Sequence, residues 1–147
     1  MLRRLRAWLS RNRLIARLAS ILLCAGFVYL GANGISDVAS ILINPAPSQD
    51  LLSISADAAR LRAAILFVLN LGILAGSLAA MLGAWRRTRL WRGILVVAIL
   101  YGLLGLYQVA SGIFQFHRPE LAAAGLAYVA LGAAAWSVGK QSVVGSR

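Results

Sequence analysis

The sequence predicts an all-α integral membrane protein: a four-transmembrane-helix bundle, N-in and C-in, with a basic amphipathic N-terminal segment. Three observations lead there. Hydrophobic residues fill 61% of the 147 positions and charged residues only 13%, against about 45–50% and about 25% in soluble domains. The apolar residues collect in four runs, each close to the roughly 20 residues that carry a helix across a ~30 Å hydrocarbon core. Charge then sorts between the two sides of that layer: twelve of the 15 Lys and Arg fall on one side, and all four acids fall on the other. Cytoplasmic loops collect Lys and Arg, so the twelve mark the inside.

Residues 1–13, MLRRLRAWLSRNR, open the chain. On a helix Met1, Leu2, Leu5, Trp8 and Leu9 share one face, flanked by Arg3, Arg4 and Arg6. That pattern suits a helix lying in an anionic membrane surface. An Arg-rich, acid-free start also fits a mitochondrial presequence, so a bacterial and a mitochondrial membrane both stay open. A cleaved signal peptide fits less well, because no small-x-small site follows the apolar run.

Residues 14–139 form one transmembrane domain, with spans at about 14–36, 63–84, 93–116 and 121–139. All four must be helical, since lipid cannot satisfy open backbone groups. The outer loop 37–62 is long for a connection without a purpose. Asn33-Gly34 is expected to loosen the first helix, and Asn44-Pro45-Ala46-Pro47 to stop the chain's helical course. Between them Ile35, Val38, Ile41 and Leu42 recur at helical spacing, which predicts a separate short interfacial helix. A second short element is expected over 51–57. The loop is read either as a lid or partner-facing element or as a solvated connector.

The stretch WRRTRLWR, 85–92, joins spans two and three. Four arginines and two tryptophans in eight residues would suit nucleic acid in a soluble protein. Between two apolar helices they suit lipid headgroups instead, with tryptophans at the belt and arginines on phosphate. Lipid headgroup contacts are therefore assigned to Arg3, Arg4, Arg6, Trp8, Trp85, Arg86, Arg87, Arg89, Trp91 and Arg92. Residues 140–147 are read as a cytoplasmic tail.

Small residues set how transmembrane helices approach. Gly72 and Gly76 stand four apart on the second span, Gly105 and Gly112 seven apart on the third. The fourth span carries Gly125, Gly132 and Gly139 at seven-residue spacing, and a second stripe of Ala123, Ala127, Ala130 and Ala134. Seven-residue recurrence holds one face toward a neighbour in a left-handed bundle. Helix packing is thus assigned to Gly72, Gly76, Gly105, Gly112, Gly125, Gly132, Ala127 and Ala134. The second stripe exceeds what one contact needs, which points either to another copy or subunit or to simple alanine enrichment.

Chemistry is scarce. No Asp, Glu, Lys or His lies in the central part of a span, where proton relays and ion pathways need them. The lone Cys24 excludes an intramolecular disulfide and a CxxC pair, and reads as a small buried apolar residue. The lone His117 excludes bis-His haem within the chain and reads as an interfacial anchor. No hydrolase elbow, zinc-binding HExxH, phosphate loop or paired carboxylates occur. No catalytic, cofactor or metal residues are therefore assigned, and an enzyme is not expected. One polar constellation remains in the outer half: Asn33, Asn70, Tyr107, Gln108, Ser111 and Tyr128. It reads either as interhelical hydrogen bonding or as a small pocket for a lipid, quinone or neutral solute.

Asn44-Pro45 after the first span, Arg60-Leu61-Arg62-Ala63-Ala64 at the second, and the arginine-rich inner hairpin together resemble the DoxX-like group of small bacterial membrane proteins. That resemblance implies a bundle fold and accessory roles in the envelope or in electron-transfer systems, and no functional residue carries over. The expected protein is a non-catalytic subunit of the bacterial inner membrane, packing against a larger energy-converting or transport complex. The alternative is a small carrier using the polar constellation. Expected partners are anionic phospholipids and other membrane subunits or further copies, and not nucleic acid.

Overall fold

The computed structural model describes residues 13–86 and 88–144. It contains α1 (Arg13–Ile43), α2 (Ala46–Leu52), α3 (Ala56–Arg86), α4 (Gly93–Ala110) and α5 (Pro119–Val144), with a 3₁₀ turn at Arg89–Arg92 and a π-helical turn at Ser111–Gln115. Four helical stretches are long and apolar enough to cross a membrane: Leu18–Ile43, Ala56–Arg86, Gly93–Gln115 and Pro119–Gly139. No strand occurs among the described residues. The chain is an all-α, multi-pass integral membrane protein built as a four-helix bundle.

The helices run alternately up and down, and each packs mainly on its neighbours in sequence: α1 on α3, α3 on α4, α4 on α5. The turn at 88–92 lies at one end, termed the arginine end; α2 and the 117–118 turn lie at the opposite end. Helix α3 is central. Its buried residues Ala59, Ala63, Leu66, Asn70, Ile73, Ser77, Ala80 and Gly83 recur at steps of four and three. That period, close to 3.5, keeps one seam on a neighbour over the whole length of a left-handed crossing. Cys24, Phe27, Ile73, Val97 and Tyr101 belong to the core the helices enclose. Cys24 is fully buried there, as its place in an apolar run leads one to expect.

The first helix is longer than the apolar run that predicts it. It continues unbroken through Asn33-Gly34 to Ile43, so the expected separate helix over 35–42 is an extension of α1. The reason is local packing. A Cβ at position 34 would collide with the carboxamide of Asn70 on α3, so Gly34 serves close approach and not a break. The extension keeps the expected face: Val38 is buried, while Ser36, Asp37 and Ser40 are exposed.

Asn44-Pro45 does end α1. The Asn44 N–H donates to Ser40 O at 2.9 Å, and its side chain accepts from Ala46 N at 3.3 Å. Proline then removes the next donor. Helix α2 comes next and closes at Ser53, which is left-handed at φ 53 and ψ 44, the usual way for a chain to leave a helix. Ser55 then caps α3, its Oγ accepting from Ala58 N at 3.3 Å, and Asp57 sits favourably in that first turn.

The last hairpin is the tightest. A Cβ on Gly105 would lie 2.6 Å from Gly125 O, and one on Gly125 would lie 2.6 Å from Val109 N. The two backbones are in contact along this seam, which only small residues permit. Gly132 faces Ala98 O and Gly112 faces Ala122 N in the same manner, while Gly72 and Gly76 meet Leu100 and Val97. All six glycines assigned to packing therefore face another element of the chain. Ala127 and Ala134 do not: both are exposed, on the side of α5 away from its glycines, and Ala135 is the buried alanine of that turn.

Candidate functional site

Sequence spacing puts six polar residues in one half of the bundle, and the structure gives them different partners. Asn70 is buried, but its Nδ2 donates to Leu66 O of its own helix at 2.8 Å. Ser111 likewise donates from Oγ to Tyr107 O at 2.8 Å. Asn33 is exposed. Tyr128 joins an aromatic cluster, its ring stacked on Tyr101 at 5.9 Å, with the Phe27 ring also 5.4 Å from Tyr101. Asn70 and Ser111 are thus not the interhelical hydrogen bonds anticipated for them. A short polar side chain on a helix reaches the carbonyl one turn back, and in lipid that local partner is always available.

Tyr107 and Gln108 do meet a neighbour, and it is a residue that the charge count alone had absorbed. Arg62 on α3 is half-buried. Its Nη2 donates to Gln108 Oε1 on α4 at 3.0 Å. The guanidinium carbon lies 5.8 Å from the Tyr107 ring centroid and 5.0 Å from that of Phe116, within range of cation–π attraction. Its Nε is enclosed and has no hydrogen-bond partner. Among the described residues no carboxylate pairs with it, so the charge is held by one amide oxygen and two ring faces.

Local structure explains why α4 can do this. At Ser111 the helix widens, with Phe116 N bonding Ser111 O at 2.9 Å. A π turn advances less rotation per residue than an α turn, so Phe116 swings back toward the side of Tyr107 and Gln108. Such turns recur at functional sites. The widened segment then closes through His117, left-handed at φ 52, with Arg118 N on Gly112 O at 2.8 Å. His117 is exposed there, a turn residue at the end of the bundle. Histidine tolerates this conformation better than most side chains.

Arg118 is also engaged: its Nη2 donates to Leu51 O at 2.9 Å. That bond ties α2 to the α4–α5 turn. Leu52 of α2 is buried.

At the arginine end Arg86, Arg89 and Arg92 are exposed. The tryptophans differ. Trp85 is 63% exposed, whereas Trp91 is half-buried and packs on the core, so the first presents more of its ring outward. Arg3, Arg4, Arg6, Trp8 and Arg87 lie outside the described residues. No group of three or more His, Cys, Asp or Glu able to hold a metal occurs among the described residues.

No protein-family model, curated protein or solved structure matches this chain.

The sequence signal for Arg62 was present. It stands three residues after buried Ala59 and four before buried Leu66, and helix neighbours at three and four share a face. Phe116 carried no such signal, because the α-helical periodicity that would place it is broken by the π turn.

Proposed function

We propose that this protein is a non-catalytic accessory subunit of a bacterial inner membrane, which docks on a larger membrane complex through α5. The reading rests on the two faces of that helix. Its glycine stripe is used up against α4, while Ala123, Ala127, Ala130 and Ala134 remain exposed on the other side, flanked by Leu126 and Trp136. Small side chains let a second helix approach closely, and in lipid that packing is what draws helices together. The charge distribution supports an orientation with the arginine end in the cytoplasm. The resemblance to DoxX-like proteins in overall layout agrees with an accessory role.

The test is gentle extraction followed by native mass spectrometry, with single cysteines at positions 123 and 130 for crosslinking in intact membranes. Crosslinks to another chain, lost in Ala127→Leu/Ala134→Leu, support the reading. A monomer that brings no partner and gives no crosslink sinks it.

A further inference from the structure

We infer that Arg62 is the centre of a binding site for a phosphate group, and that its occupant is the headgroup of an anionic phospholipid. This goes beyond the docking role of α5 and concerns a different part of the molecule, at the end away from the arginine turn.

The first observation is an uncompensated charge. A guanidinium offers a planar fork of N–H donors matched to phosphate and carboxylate. Here one N–H is used by Gln108, and no other hydrogen bond joins the group to the described residues. Ionisable groups within membrane helices are costly and, when present, are paired or mark a binding pathway. Gln108 supplies a dipole and the Tyr107 and Phe116 rings supply quadrupoles. None of these carries the negative charge that would balance the cation.

The second observation is that the cation is held in place. An arginine that only snorkels to the water interface needs no fixed geometry. Arg62 has an amide on one side and two aromatic faces on others, and the π turn at Ser111–Gln115 brings one of those faces to it. A guanidinium fixed in this way loses less freedom when it binds, which favours affinity.

The third observation selects the source of the phosphate. Leu61 and Ile65, one residue before and three after Arg62 on α3, are exposed apolar side chains. They offer acyl chains a surface next to the cation. A soluble phosphate would gain nothing from them, and a phospholipid uses both.

The test uses the full-length protein in nanodiscs of phosphatidylcholine doped with phosphatidylglycerol, released into native mass spectrometry. Wild type is expected to retain phosphatidylglycerol preferentially. Arg62→Gln should lower that retention about tenfold, the loss of one hydrogen bond between charged groups, while Arg60→Gln, an exposed cation two residues away, should leave it unchanged. Inorganic phosphate added to the detergent-solubilised protein separates the sources. Retention that phosphate does not compete away assigns the site to lipid; displacement by phosphate keeps the phosphate site and removes the lipid as its required source. If Arg62→Gln does not fold, Gln108→Leu keeps the cation but releases its fork, and should still weaken retention. Equal retention in wild type and the Arg62 or Gln108 variant overturns the proposal. So does a co-purifying protein whose carboxylate crosslinks next to Arg62 in place of lipid.

Discussion

At one end of the bundle Arg86, Arg89 and Arg92 stand exposed on a short turn; at the other, Arg62 and Arg118 are held by identified atoms. The first end carries the greater charge, and the second carries the greater structure. A dense basic run acts as a sum, because each exposed arginine contributes to a surface potential whichever way it points. A sparse arginine in an apolar setting acts singly, because its donors must be met by particular neighbours. Charge counting therefore finds the first kind and passes over the second.

The largest expected effect is at the end that holds α2. Gly112→Ala places a Cβ 2.6 Å from Ala122 N, in a turn already widened and closed through a left-handed His117. Overpacking of this kind costs about 1–3 kcal/mol, and Gly112→Leu should exceed it; reversible unfolding in mixed micelles reads the loss. Gly26→Ala on α1 is the contrast, since a Cβ there meets nothing within 4 Å, and it should leave the same unfolding curve unmoved or slightly raised.

Next comes the Arg62–Gln108 pair. Gln108→Leu strands a charged donor and should destabilise by about 1.5–3 kcal/mol, while the double variant Arg62→Met/Gln108→Leu should recover most of that, because replacing both partners by apolar groups can be nearly neutral. If the double variant is as unstable as the single, the pair is not acting as a unit. A smaller effect, about 2 kcal/mol, is expected from Trp91→Ala, which packs on the core, below the about 3–5 kcal/mol of a wholly buried tryptophan. Trp85→Ala should cost less than Trp91→Ala, because its ring is 63% exposed. Last, Arg86→Gln/Arg89→Gln/Arg92→Gln should leave stability within about 0.5 kcal/mol, yet produce a mixed orientation on insertion, detected by labelling of cysteines placed in the turn.

Much of the architecture could be read from residue order. Apolar runs separated by charged turns define four spans because a helix must be about 20 residues long to cross lipid. The glycine stripes of α3, α4 and α5 were legible for a related reason: small residues at regular spacing have few uses other than close packing. Two kinds of feature were not legible. Gly34 reads as a helix breaker in isolation, and becomes a packing residue only when Asn70 of another helix is set against it. Phe116 reaches Arg62 only through a π turn, and no local pattern announces that change of period. The polar residues misled in the opposite direction. Asn70 and Ser111 look like cross-helix partners, yet each has a carbonyl of its own helix within reach.

That self-sufficiency has a consequence for how the protein is made. Ser77, whose Oγ donates to Ile73 O at 2.7 Å, needs no other helix to enter the bilayer with its hydroxyl satisfied, and Asn70 has one of its two N–H donors met by Leu66 O of its own helix. The chain can therefore be threaded into the membrane in two instalments. The α1–α3 hairpin can settle while the ribosome is still extruding the second half of the chain, and α4–α5 then arrives as a second hairpin locked by its own glycine seam. The Phe27–Tyr101–Tyr128 cluster joins residues of both hairpins, so it is complete only where the two are packed together.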